Sequence, residues 1–110
     1  MSALLHRGAT LVAVLLAAAT GTAAAQNVMD DGKKLFNSGA VPACALCHAL
    51  KHAGAAGEIG PALDELKPDA ARIEKAIRNG IGQMPANTAL SDAQIKLLGQ
   101  YVARATGAAR

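Results

Sequence analysis

Cys44-Ala45-Leu46-Cys47-His48 brings together the only two cysteines of the chain and one of its three histidines. Two thiols three positions apart sit about one helical turn apart, on one side of a short helix. Each sulfur can then add to one vinyl group of the same porphyrin, while the next residue presents its imidazole to the iron. C-x-x-C-H is accordingly the attachment signature of c-type haem. Other uses of these residues explain less. A disulfide employs both cysteines but leaves the adjacent histidine without a role. A thioredoxin-like C-x-x-C needs a βαβ setting, and no strand-rich segment precedes Cys44. A closed zinc site needs four ligands, and His6 lies in a segment expected to be removed. Cys44 and Cys47 are thus the expected thioether attachments, and His48 the expected iron ligand.

A second ligand is sought far from His48, on a segment able to reach the opposite face of the ring. Ile81-Gly82-Gln83-Met84-Pro85 fits. A thioether is a soft donor suited to haem iron. Pro85 fixes the backbone beside it and excludes helix. Met29, the other methionine beyond the expected leader, reads as a packing residue near a helix start. His52 lies only four residues past His48, on the same side of the ring, and reads as a surface residue. Met84 is therefore the expected distal ligand.

The elements that must position these groups read as helices. One is expected from about Val28 to Asn37. Asp30 and Asp31 sit in its first turn, where negative charge favours the helix dipole. Gly32 and Phe36, four apart, share a face. A glycine inside a helix costs ~1 kcal/mol against alanine, which close approach by another helix would offset. The haem-binding turn follows, from Ala43 to about Leu50. Lys51 to Pro61 reads as a loop. Its Gly54, Gly57 and Gly60 match no phosphate-binding fingerprint and are expected to fold around the porphyrin edge. A helix is expected from about Pro68 to Asn79, with Pro68 at the first helical position and Ile73, Ala76 and Ile77 as its apolar stripe. The last helix begins at a capping box, Ser91 with Gln94, and a Leu90/Ile95 staple. It runs to about Thr106, stops at Gly107, and shares Ile95, Leu98, Tyr101 and Val102 on its apolar face. No convincing strand is read.

The N-terminus bears on compartment. Arg7 and the α-amine give a modest positive start, and an apolar run follows from Ala9 to Ala19. Thr22-Ala23-Ala24-Ala25 resembles an A-x-A cleavage site before Gln26, the pattern of a secretory signal peptide. The run is short of the ~20 residues a spanning helix needs. Residues 1–25 are thus expected to be a removed signal peptide, and 26–110 one exported domain with no stable membrane insertion. Export suits covalent haem attachment, which bacteria carry out outside the cytoplasm. Such a chain buries little core and needs a staple. With one Phe, one Tyr and no Trp, much of the central packing surface is expected from the haem. A net charge of +3 without a basic stripe gives no support for nucleic-acid binding.

Taken together, the chain resembles the class I cytochrome c family over nearly all of 26–110. The order is family-like: N-terminal helix, C-x-x-C-H, Gly-Pro-x-Leu, helix, Met-Pro loop, C-terminal helix. The resemblance implies an all-α small cytochrome c fold, three to four helices wrapped around one covalently bound haem c. It gives Cys44 and Cys47 the thioether roles, His48 the proximal and Met84 the distal one. In Gly60-Pro61-Ala62-Leu63 it implies that the Pro61 carbonyl accepts a hydrogen bond from His48 Nδ1–H. It also implies that Gly32 and Phe36 pack the first helix across the last, against Leu98 and Tyr101. Two departures stand out. The long Ω-loop of mitochondrial members is missing, which marks a short bacterial type. No Trp or Tyr precedes Met84 to hold the haem propionates, and Arg78 and Asn79 are the candidates in their place.

The expected function is a monomeric, periplasmic single-electron carrier and not an enzyme, since six-coordinate iron has no open position. Its partners would be periplasmic redox proteins: a dehydrogenase donor, and a cytochrome oxidase or another cytochrome as acceptor. The run from Cys44 through Glu65-Leu66-Lys67-Pro68-Asp69 to Met84 resembles small cytochromes that accept electrons from periplasmic sulfite dehydrogenases. Ala40, Val41, Pro42, Ala43 and Ala45 are the expected docking surface. The same residues would serve a haem subunit held tightly in a dehydrogenase complex. An open-site haem enzyme or sensor would require Met84 to be unligated. Four-helix cytochromes of that kind usually carry C-x-x-C-H near the C-terminus.

Overall fold

Residues 23–109 are described by a computed structural model. The expected signal peptide, 1–25, lies outside them except for its last three residues. Helix α1 covers 23–34 among the described residues and closes with a π-turn, Leu35–Gly39, in which Ala40 N–H donates to Leu35 O at 3.0 Å. It thus begins before Val28 and ends in a wider turn than expected. Asn37 ties this end down by donating to Ala53 O at 3.0 Å.

Helix α2, Cys44–Cys47, is a single turn. Two short antiparallel strands follow, β1 (Ala49–Leu50) and β2 (Ala55–Ala56), joined through a 3₁₀ turn at Lys51–Ala53. Ala49 pairs with Ala56 and Leu50 with Ala55, so the expected plain loop is in part a hairpin. Pairs this short leave almost no alternation to read in the sequence. Helix α3, Leu63–Leu66, is likewise one turn.

Helix α4 spans Ala70–Asn79. Its N-cap is Asp69, whose carboxylate accepts from Arg72 N–H at 2.8 Å. Pro68 therefore lies just before the cap, not in the first turn as expected. An aspartate able to satisfy an orphan N–H wins that position. Helix α5, Asp92–Ala105, starts at the expected capping box, with Ser91 and Gln94 bonded reciprocally.

The core lies where these elements meet. Phe36 of the π-turn and Leu98, Tyr101 and Val102 of α5 are buried there with Leu50, Leu63, Ile77 and Ile95. Phe36 meets Tyr101 edge-on, centroids 6.1 Å apart, an arrangement aromatic pairs favour. Helix α4 packs on α5, whereas α2 packs on the π-turn and β2. The two helices thereby form different walls of one cleft. Among the described residues no helix is long and apolar enough to cross a membrane.

Candidate haem-binding cleft

The cleft has a volume of about 870 Å³, and Cys44, Cys47, His48, Pro61 and Met84 all line it. Most of its remaining wall is apolar, including Phe36, Leu63, Ile73, Ile77, Leu98 and Val102. This suits a large flat apolar ligand with few polar attachments. Cys44 and Cys47 are not joined in a disulfide. Burial pushes the Cys44 thiol up, an effect a hydrogen bond from its own backbone only partly offsets and the neighbouring Cys47 reinforces. A reactive redox thiol is held the other way, as thiolate. Among the described residues no group of three His, Cys, Asp or Glu assembles as a metal site, so a zinc reading has no donor set there.

His48 is oriented by the chain itself. Its Nδ1 lies 2.8 Å from Pro61 O. A carbonyl can only accept, so the proton sits on Nδ1 and Nε2 keeps the free lone pair. That tautomer is the one an iron ligand needs, and the bond fixes the orientation of the ring. The segment carrying Pro61 is anchored by Gly60 N–H donating to Cys47 O at 2.7 Å. Gly60 also lies flat on the imidazole: a Cβ there would come 2.5 Å from His48 Cε1 and 2.8 Å from Nδ1. From sequence the glycine belongs to the Lys51–Pro61 loop and to the family-like Gly60-Pro61-Ala62-Leu63 element, with no constraint of its own. Its reason is close approach to the His48 ring.

Met84 stands in a tight turn. Ile81 N–H donates to Met84 O at 3.0 Å and Met84 N–H to Ile81 O at 2.9 Å. Asn87 N–H donates to Ile77 O at 2.8 Å and fastens the following segment to α4. The thioether therefore enters the cleft from a braced turn.

His52 is placed elsewhere. It sits on the 3₁₀ turn and its Nδ1 lies 2.9 Å from the Tyr101 hydroxyl. The ring is exposed, as expected, yet it supplies a hydrogen-bond partner to a fully buried tyrosine, a role not legible from position alone. The expected docking surface changes too. Ala40 is buried, while Val41 and Ile59, each 78% exposed, and Ile81, 64% exposed, rim the cleft. Arg78 does not line the cleft. Asp92 holds it at 2.5 Å, with Glu74 at 3.9 Å.

Over residues 27–102 the chain matches the family described as cytochrome C oxidase, cbb3-type, subunit III. Among solved structures it is similar to the c-type cytochrome SorU from Sinorhizobium meliloti, with 48% identity and a TM-score of 0.72. That match covers 74% of this chain and 94% of SorU. No curated protein matches the chain.

Proposed function

Since the chain belongs to the cytochrome c family as a small class I member, we propose that it is a periplasmic single-electron carrier whose iron is held by His48 and Met84. It carries a covalently bound haem c. Its relatives are c-type cytochromes, which are electron carriers, and other redox proteins are its partners. When bound, the haem supplies a one-electron Fe(III)/Fe(II) couple.

One observation carries the ligand reading: His48, with its proton fixed on Nδ1 by Pro61, shares a single apolar cleft with the braced Met84 turn. The chain's own residues then do the work. Cys44 and Cys47 fix the ring edge. His48 and Met84 would both ligate the iron, which would leave no open coordination site for a substrate. Pro61 holds the imidazole in one orientation, so little rearrangement accompanies a change of charge. The apolar walls exclude water, and a Met thioether favours the reduced state, which raises the potential. Val41, Pro42, Ile59 and Ile81 offer a small apolar rim, of the kind transient redox encounters use.

The mature protein is residues 26–110, exported after loss of 1–25, monomeric and not inserted in the membrane. Its donor is a periplasmic dehydrogenase, by resemblance a sulfite dehydrogenase, and its acceptor a cytochrome oxidase or another cytochrome. The test of ligation is spectroscopic. Oxidised protein should show the weak red-region charge-transfer band of an Fe–S(Met) bond, and Met84→Ala should abolish it. A band that survives this substitution would exclude Met84.

A further inference from the structure

The cleft is charged on one side only. Arg72 and Lys75 are the charged residues that line it, and no Asp or Glu does. Both stand on α4 with Asn79, which also lines the cleft. Positions 72, 75 and 79 follow the i, i+3, i+7 spacing of one helix edge. This polar edge runs beside the apolar stripe of Ile73, Ala76 and Ile77, which enters the cleft. Among the described residues, ion pairs on α4 engage Arg78, not Arg72 or Lys75. The only nearby acid on the helix, Glu74, is turned to Arg78.

Two exposed cations on the border of an apolar cleft, with no acid among its lining residues, suit an anionic group on what fills it. Haem has one: its vinyl edge is taken by Cys44 and Cys47, and its opposite edge bears two propionates. The cysteines belong to α2 and the cations to α4, which form different walls. We propose that Arg72 and Lys75 hold the two haem propionates, with Asn79 as a neutral donor beside them. Asn79 keeps the role expected of it from sequence, and Arg78, committed to Asp92, yields its place to residues one and two turns earlier. The assignment rests on haem occupying this cleft but not on which residue is the distal ligand.

A cation beside a carboxylate stabilises its charged form and lowers its pKa by 1–3 units. The same cation offsets negative charge near the iron and so favours Fe(II). The test uses holoprotein and two readouts: the pH titration of the propionate resonances by NMR, and the midpoint potential against pH. Arg72→Gln and Lys75→Gln should each raise the proton affinity of one propionate about tenfold and lower the midpoint potential. Arg72→Lys should keep most of the wild-type titration. Asn79→Asp, which leaves both cations and places a carboxylate on the same edge, should raise propionate proton affinity as well. Arg78→Gln should change neither readout. Propionate titrations and midpoints unchanged in Arg72→Gln, Lys75→Gln and Asn79→Asp would overturn the proposal and leave the cationic edge to a docking partner. The red-region Met band, read in the same samples, reports separately on axial ligation.

Discussion

Gly32 faces Tyr101 so closely that a single added carbon has no room. A Cβ at Gly32 would overlap Tyr101 Cβ and Cγ and lie 2.9 Å from Cδ2. Tyr101 cannot yield easily. It is fully buried, packs edge-on to Phe36, and is hydrogen-bonded to His52. Gly32→Ala would gain ~1 kcal/mol of helix propensity but overpack the crossing, at 1–3 kcal/mol or more. The obstruction is a Cβ close to the backbone, not a flexible side-chain tip, which points to the upper end. A net loss of about 2 kcal/mol is expected for Ala and a larger one for Val, whose branches extend the overlap. For a domain this small, 2 kcal/mol lowers Tm by roughly 8–16 °C, a large share of the usual 5–15 kcal/mol total. Urea unfolding of holoprotein followed by far-UV circular dichroism should show the midpoint falling, Val below Ala below wild type, with unchanged m-value. If Gly32 were merely an exposed helix glycine, Ala would raise the midpoint. An unchanged or higher midpoint in both variants would refute the crossing.

Gly60→Ala should push the His48 ring off its Pro61 bond, because the new Cβ would meet the imidazole face; displaced His48 ring resonances in the NMR spectrum of the holoprotein check this. His52→Ala should cost about 1–3 kcal/mol by leaving the buried Tyr101 hydroxyl without its partner. In a Tyr101→Phe background the same change should cost clearly less, which a double-mutant cycle of urea midpoints measures. Burial, with the Asp64 carboxylate adding to it, pushes Tyr101 from 10.0 up to about 12. Because the folded state holds the phenol proton more tightly, the stabilisation is complete below pH 10 and lost as pH rises towards 12. That loss amounts to at most roughly 3 kcal/mol, and Tyr101→Phe should flatten the decline in urea midpoints over that range.

What the sequence made legible was local chemistry. Ser91 and Gln94 are three residues apart, so their capping box is readable without any tertiary knowledge. The C-x-x-C-H turn and the Met84-Pro85 turn are equally self-contained. Features decided by distant partners were not legible. Nothing in Lys51-His52-Ala53 announces that His52 meets Tyr101, 49 positions away. Gly60 looked like a loop residue because its constraint is the His48 ring, brought to it by the fold. Arg72 and Arg78 have similar surroundings in sequence, and only the placement of Asp92 beside Arg78 separates the engaged cation from the one bordering the cleft. The β1–β2 hairpin and α3 are too short for periodicity to register. Pro68 and Asp69 both carry helix-start signals, and the choice turned on which one could accept the Arg72 N–H.

A closed iron coordination sphere separates an electron carrier from a haem enzyme or gas sensor, and carbon monoxide probes it directly. Added to the reduced holoprotein, carbon monoxide should leave the optical spectrum unchanged in wild type, because in the proposed ligation Met84 takes the position it would need. In Met84→Ala it should bind and shift the Soret band. Ready formation of the carbon monoxide complex by the wild-type protein at neutral pH would contradict the carrier reading.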